Sequence, residues 1–325
     1  MTKTVAIAFA SSIMFLGSVL PASASANINE PLDTPGALSS PWVTAGTYTP
    51  EVVTLSDTPA NALRLTDTAG SQSGFALYNS AISADAGIDV TFSQAQWGGD
   101  GSADGIVFFV KKGTDTSNVG GATGGSMGYS ASTDEGGIDG LSGALLGVGL
   151  DGYGNFSSTA SEGTGCSDTF DRNEQSANSV TVRGAGDGQV GYCMLADTYD
   201  LSSNSKKLLV DSYATRADAA VQVRVVIDSA SATDPRVKIY YAGDKIIDIA
   251  LPSAFQSVST VKIGFSAGTG GSTDNHEVWG LSTTSAVSTS SLASTGVNLS
   301  DYYLLIAAAL ASVLGGSAAL VRKRK

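Results

Sequence analysis

Histidine is nearly absent from this 325-residue chain and occurs only at His276. Cysteine occurs twice, at Cys166 and Cys193, and 18 basic residues face 30 acids. Each scarcity removes a class of chemistry. A Ser-His-Asp arrangement would have to be built on His276, and no nucleophile motif lies near it. Two cysteines cannot complete a structural zinc centre, which takes four ligands. Positive charge is scarcer still in the body of the chain. Five of the bases are Lys3, Arg322, Lys323, Arg324 and Lys325, and one of the acids is Asp301. Residues 27–295 therefore carry 13 bases and 29 acids, a formal charge of −16. That balance argues against nucleic acid and anionic lipid as partners. Helical periodicity is rare, and no internal repeat is visible. What is abundant is glycine, 39 residues of it, with many serines and threonines. This composition suits an exported β-protein with one large sandwich of roughly 250 residues.

Both ends read as targeting segments. Lys3, the apolar stretch from Val5 to Leu20 and the small residues from Ala22 to Ala26 form a secretory signal pattern over residues 1–26. At the other end Leu292-Ala293-Ser294-Thr295-Gly296 precedes an apolar stretch, 302–321, and a basic tail, 322–325. The stretch is long enough to cross a bilayer, and the tail stays on the cytoplasmic side. The pentapeptide in this setting resembles the cell-wall sorting signal of Gram-positive surface proteins, in its Leu-Ala-x-Thr-Gly variant. The resemblance implies that a sortase cuts between Thr295 and Gly296 and joins Thr295 to a peptidoglycan precursor. The chain would then meet the membrane only through 302–321, before processing, and reside at the cell wall. In a protein exported this way Cys166 and Cys193 are expected to pair. The chain-entropy model puts such a closure at about 3–4 kcal/mol. Residues 285–291 read as a short Ser/Thr linker, leaving 27–284 as the folded body.

The body reads as strands. Ala62–Thr66, Gly87–Phe92, Ile106–Val110, Val180–Val182, Val221–Ile227, Val237–Tyr241 and Thr260–Phe265 alternate or run β-branched between Gly, Ser, Asn and Asp. Such spacing predicts an antiparallel sandwich or barrel. A further apolar run, Leu145-Leu146-Gly147-Val148-Gly149-Leu150, ends in Asp151-Gly152-Tyr153-Gly154-Asn155. On a strand, Asp151, Tyr153 and Asn155 share a face. A carboxylate, an amide carbonyl and the backbone carbonyls of a Gly-rich exit are the hard oxygen donors calcium prefers. The same residues also build ordinary turns.

Several motifs stand in order along the chain. They are Gly74-Phe75-Ala76-Leu77-Tyr78, Ala103-Asp104-Gly105-Ile106-Val107-Phe108-Phe109, Gly124-Gly125-Ser126-Met127-Gly128, the Leu150–Asn155 segment, Val261-Lys262-Ile263-Gly264-Phe265-Ser266-Ala267, and His276-Glu277-Val278. Together they resemble the L-type (legume-type) lectin domain over roughly residues 40 to 284. The resemblance implies an all-β, concanavalin A-like jelly-roll β-sandwich that binds sugar on loops at one edge. Asp104 matches the family's sugar-binding aspartate, whose Ala-Asp bond is cis. Gly125 matches the glycine whose N–H reaches a sugar oxygen. Asn155 matches the asparagine that gives its amide to the sugar and its carbonyl to the metal. Tyr153 matches the position that offers its backbone carbonyl to calcium and its ring to the apolar sugar face. This set answers the donors, acceptors and C–H face of a sugar.

The pattern also breaks. Where plant lectins place a Glu two residues before the metal aspartate, this chain has Gly149, and no His follows within the next hundred residues. A transition-metal site is therefore not expected. Calcium remains, through Asp151, Tyr153 and Asn155, with the fourth ligand displaced or missing; Glu162, Asp168 and Asp171 are the candidates, the last two preferred. His276 aligns with a structural strand residue, and specificity is expected in the loop around Gly268 to Asn275. Sandwich glycoside hydrolases carry Glu-x-Asp-x-x-Glu on one strand, and the segment 149–154 has no Glu. The expected function is a calcium-dependent glycan-binding adhesin, not an enzyme, anchored to a Gram-positive cell wall. A lectin-like surface domain that binds protein or no sugar is the alternative.

Overall fold

The structure is a computed structural model, and it describes residues 27–133, 137–167, 175–201, 209, 213–231 and 233–286. The expected signal peptide, the sorting motif Leu292–Gly296, the apolar stretch 302–321, the basic tail and most of the linker lie outside the described residues. Among the described residues, no helix is long and apolar enough to cross a membrane.

Strands dominate the described residues. In chain order they are β1 (Ile28–Glu30), β2 (Gly36–Ala37), β3 (Trp42–Gly46), β4 (Glu51–Thr54), β5 (Asn61–Thr66), β6 (Ser73–Ser83), β7 (Ile88–Asp100), β8 (Gly105–Lys112) and β9 (Ala144–Asp151). There follow β10 (Ser179–Arg183), β11 (Gly186–Asp187), β12 (Val190–Gly191), β13 (Met194–Asp197), β14 (Val221–Asp228), β15 (Arg236–Tyr241), β16 (Asp244–Ala250), β17 (Thr260–Gly268) and β18 (Thr273–Thr284). A single α-helical turn, α1 (Arg216–Ala219), precedes β14. Every strand expected from the sequence coincides with one of these.

Two sheets form a sandwich. The first runs β16-β15-β14-β7-β18-β5-β4-β2, with β1 added on β18. The second runs β12-β11-β9-β8-β17-β6-β3, with β10 on β9 and β13 on β10. The main core lies between them, and Phe92 of the first sheet meets Phe265 of the second edge-to-face at 4.9 Å. Alternation explains the sequence of β8. Ile106, Phe108 and Val110 enter the main core, whereas Val107 and Phe109 enter a second core on the outer face of the same sheet. A strand buried on both faces reads as an unbroken apolar run. The second core joins Phe75, Val107 and Phe109 to Met127, Tyr129, Phe156 and Tyr192 from the overlying loops. The Tyr129 and Tyr192 rings meet edge-to-face at 5.7 Å, and their hydroxyls donate to the carbonyls of Gly184 and Leu141. Buried tyrosines need such partners. The expected Cys166–Cys193 disulfide is formed, tying a loop to the segment just before β13.

The first sheet buries charge on the face away from the main core. Leu63 and Leu65 of β5 enter that core, so Arg64 points the other way. There Glu277, fully buried, accepts from Arg64 (2.8 Å), from Arg216 of α1 at both oxygens (2.7 and 2.9 Å), and from the Trp97 indole (2.8 Å). Arg216 is itself fully buried and also donates to the carbonyls of Pro59 and Ala60. Removing one member of a buried ion cluster strands the others without countercharge, at a cost of about 3–5 kcal/mol. Glu277→Ala should lower the unfolding free energy by that order in urea titrations; a change below about 1 kcal/mol would show that α1 is not held by this network.

Candidate functional site

The ends of β8 and β9 build the site. Gly105 pairs with Asp151 across the two strands, so the residue before β8, Asp104, sits beside the turn that leaves β9. The Ala103–Asp104 peptide bond is cis, as the lectin resemblance implies. The Asp104 carbonyl accepts from the N–H groups of Gly152 (3.1 Å) and Tyr153 (3.2 Å), and its own N–H donates to the Gly268 carbonyl (2.8 Å). Three loops are thereby locked together by backbone bonds alone. Asp104 is 5% exposed, and its Oδ2 lies 3.7 Å from where a Cβ would stand at Gly268 and at Gly270. The aspartate therefore faces the loop in which specificity was expected.

Asn155 closes the other side. A Cβ on Gly125 would lie 2.3 Å from the Asn155 Cβ, so only glycine allows the 124–126 turn to approach this asparagine. The same turn reaches Gly268, whose Cβ position is 3.1 Å from the Gly124 carbonyl oxygen. Asp104, Gly125 and Asn155, assigned separately from the sequence, thus converge on one edge of the second sheet. The Asn155 side-chain carbonyl accepts from Gln175 Nε2 (2.5 Å). Tyr153 stands at the rim, 37% exposed, as a ring open to a ligand.

Beneath this edge lies Asp151, fully buried. Its Oδ1 accepts from the Gly154 N–H (2.7 Å) and its Oδ2 from the Ser157 N–H (3.2 Å). Burial, with a smaller push from the charge of Asp104, raises its pKa from 3.8 to about 8, against the lowering effect of those N–H groups. Two neighbouring carboxylates at a desolvated strand end are the kind of hard oxygen donors a divalent cation takes. Of the expected calcium ligands, Asp151 lies here with both oxygens accepting backbone N–H bonds, while the side-chain oxygen of Asn155 accepts from Gln175. The preferred fourth ligands, Asp168 and Asp171, lie outside the described residues. Among the described residues no group of three or more His, Cys, Asp or Glu is gathered for a metal.

One expectation is corrected. Glu162 does not face this cluster: its Oε1 accepts from Arg183 Nη1 (3.3 Å) and from the Met194 N–H (2.9 Å). Arg183 is the residue that sequence reasoning missed. It ends β10 and is fully buried. Its Nε and Nη2 donate to the Phe156 carbonyl (2.8 and 2.5 Å), Nη2 also to Ser158 (2.7 Å), and Nη1 to Tyr192 (2.8 Å). Its guanidinium lies 5.1 Å from the Phe156 ring centroid. Burial lowers its pKa to about 10, countered by the charges of Glu162 and Asp151, so it remains a cation. Arg183 therefore fastens the loop after Asn155 to the sheet. Gly149 shows why: a Cβ there would lie 2.3 Å from the Phe156 ring, so the ring occupies the room a glutamate side chain would need. A lone arginine ending Val180-Thr181-Val182 reads as a solvent-facing strand end, and nothing local reveals that its face is covered.

His276 lies away from this chemistry. It is fully buried, its Nδ1 sits 2.6 Å from Thr66 Oγ1, and burial pushes its pKa down to about 3, so it stays neutral. It pairs across β7 with Gln96, whose Nε2 donates to the Leu150 carbonyl (3.0 Å) and so ties the first sheet to the end of β9. Asp274, two residues before, accepts from the Gly99 N–H (3.0 Å) and is raised to about 6 by burial.

No protein-family model matches the chain, and no curated protein matches it in sequence. Solved structures do resemble it. The exoplasmic/lumenal domain of VIP36, in a Ca2+/Man-bound form, has a TM-score of 0.50 at 17% identity, covering 80% of this chain and 89% of that one. Lectin I-B4 from Griffonia simplicifolia, metal-free, has 0.50 at 15% identity, covering 80% and 99%. The carbohydrate recognition domain of Emp46p, potassium-bound, has 0.50 at 14% identity, covering 81% and 98%. At such identities the likeness is one of fold, and it agrees with the two sheets and the second core described above. The chain has the L-type lectin fold, an all-β concanavalin A-like jelly roll.

Proposed function

We propose that this protein binds carbohydrate at the edge formed by Asp104, Gly125, Asn155 and Tyr153, with calcium held beneath by Asp151, Asn155 and the Tyr153 carbonyl. The observation that carries this reading is the convergence of Asp104, Gly125 and Asn155 from three separate loops. A carboxylate, a backbone N–H and a side-chain amide supply the acceptors and donors that vicinal hydroxyls require, and the exposed Tyr153 ring supplies an apolar face. The VIP36 neighbour was captured with calcium and mannose, which fits the same arrangement. With the signal pattern at 1–26 and the Leu292–Gly296 motif, we read the protein as an exported adhesin that a sortase attaches to a Gram-positive cell wall. An enzymatic reading is disfavoured: Asp151, the acid with the most strongly raised pKa, is fully buried and held by backbone N–H groups, so it does not confront a substrate.

Two experiments test this. Charged hydrogen bonds contribute about 1.5–3 kcal/mol. Asp104→Asn should therefore weaken glycan binding roughly ten- to hundredfold on an array, with the melting temperature nearly unchanged. Equal binding by the variant would remove Asp104 from the site.

The second uses pH. Unfolded, Asp151 and Asp274 titrate near 3.8; folded, near 8 and 6. Between those values the folded chain holds more protons, so its stability falls as pH rises from about 4 to about 8. Calcium on Asp151 favours the ionised form and opposes that fall. Melting in chelator should drop across this window, and calcium should raise it most near pH 8. Binding near pH 6–7 should release up to about one proton per ion, read by calorimetry in two buffers. A melting temperature indifferent to calcium near pH 8 would rule out the calcium site.

A further inference from the structure

Register brings Gln175 to Asn155. β10 pairs with β9 antiparallel, with Val180 opposite Leu150 and Ser179 opposite Asp151. The same pairing continues past the end of β9. Asn178 N–H donates to the Gly152 carbonyl (3.1 Å), and Ser176 N–H donates to the Gly154 carbonyl (3.2 Å). One step further along the chain, Gln175 faces Asn155. Directly opposed residues of an antiparallel pair hold their Cβ atoms about 4.5–5.5 Å apart, within reach of a glutamine side chain. Gln175 Nε2 accordingly donates to Asn155 Oδ1 at 2.5 Å.

That contact bears on which end of the Asn155 amide faces the proposed sugar edge. The Asn155 backbone carbonyl is held by Ser158 N–H (3.0 Å), Ser158 Oγ (2.8 Å) and Ser161 Oγ (3.1 Å). Gly125 packs against the Asn155 Cβ, so the main freedom left to the side chain is rotation of its amide. The two ends of an amide are alike in shape and opposite in hydrogen bonding. With Oδ1 turned to Gln175, Nδ2 is turned to Gly125, 3.2 Å from where a Cβ would stand there. Turning the amide over would set Nδ2 against Gln175 Nε2, donor against donor, unless both amides turned together. No charge on the far side competes for the amide. Asn155 and Gly125 border a hydroxyl-lined cavity of about 130 Å³, walled also by Thr123, Ser126, Ser132, Ala160 and Ser161, and none of these side chains is ionisable.

We propose that Gln175 is a positioning residue of this edge. It holds the Asn155 amide with Nδ2 toward Gly125, so the donor offered to a sugar oxygen is set by the chain itself, with or without a metal. The inference rests on the carbohydrate reading above and narrows what calcium contributes to it. In that reading calcium would sit on Asn155 Oδ1, the atom that already accepts from Gln175. A carbonyl oxygen has two lone pairs, so a cation on the second would reinforce an orientation that exists without it. Sugar binding should therefore weaken on chelation without being abolished, and the part that survives should depend on residue 175.

The full protein on an array of neutral mono- and oligosaccharides, in chelator and in calcium, tests this with three substitutions. Gln175 is exposed, so all three should melt as the wild type does. Gln175→Met keeps the length and removes the donor. In chelator it should bind about two- to tenfold more weakly, the worth of one hydrogen bond of about 0.5–1.5 kcal/mol, and excess calcium should restore it. Gln175→Lys offers only donors and should bind in chelator as the wild type does. Gln175→Glu offers only acceptors at pH 7, draws Nδ2 to itself, and should lose more than Gln175→Met. That loss, relative to wild type, should shrink below about pH 4, where the acid is protonated and can donate. Equal losses in the Lys and Glu variants, or none in any variant, would overturn the positioning role. The amide's orientation is also read without sugar, by NOEs in 15N-labelled protein. Asn155 Nδ2 protons should show contacts to Gly125 in the wild type and lose them in Gln175→Glu; contacts retained in that variant would overturn the proposal. A wild-type protein that binds no glycan would overturn the carbohydrate reading, and the same NOEs would still decide what Gln175 does to Asn155.

Discussion

The site depends on one buried cation. Arg183 stands on a strand of the second sheet and spends its guanidinium on carbonyls of the loop that follows Asn155. Carbonyls on an irregular loop that passes over a sheet are costly to bury unless each finds a donor. A guanidinium offers five N–H donors in a rigid fork, which is why a single residue can answer several of them. With that loop fixed, Phe156 lies against Gly149, Tyr129 and Tyr192 close the second core, and Asn155 is presented to Gly125. Removing the guanidinium would leave the Phe156, Ser158 and Tyr192 carbonyls without these donors, while the Cys166–Cys193 disulfide and the Asp151 carboxylate would still hold parts of the same region.

Much of this was legible in the sequence, and the reasons differ by element. The strands were visible because β-branched runs between glycine and serine leave few other structures open. The proposed binding residues were visible only through a resemblance in the order of motifs; composition alone leaves Asp151-Gly152-Tyr153-Gly154-Asn155 as readily a turn as a site. Arg183 was not visible because its role depends on what covers the outer face of β10, and that covering comes from Phe156, Glu162 and Tyr192, which are brought over the strand by the fold. Glu162 was misread for the same reason. Its distance from Asn155 in sequence suits a ligand, whereas its direction is set by Arg183. The glycines at 125 and 149 carried information that only a neighbour's position can decode: one admits Asn155, and the other admits an aromatic ring.

Charge is handled in two opposite ways at the two ends of the sandwich. Behind the first sheet, Glu277 is satisfied internally by Arg64, Arg216 and the Trp97 indole, so its buried charge needs nothing from solution. At the proposed binding edge, burial outweighs the backbone N–H groups that Asp151 accepts from and, with a smaller push from the charge of Asp104, raises its pKa to about 8. The buried Arg183 feels the charge of Asp151, yet burial still dominates at the aspartate. A carboxyl kept protonated by burial at a strand end is one whose ionisation a cation arriving from outside would favour.

The division of labour between Arg183 and calcium follows from this. If the loop after Asn155 were ordered by metal alone, chelation would loosen the loop, the second core and the hydroxyl-lined cavity together. Here the loop is already fastened through Phe156 and Ser158 to a cation that does not titrate in the physiological range. On the proposed reading, calcium would add charge on Asp151 and orientation for Asn155. The energetic effect of calcium should accordingly track the ionisation of one carboxylate rather than the ordering of a loop. Calcium would then set how tightly the edge holds a sugar and would leave the shape of the cavity beside it unchanged.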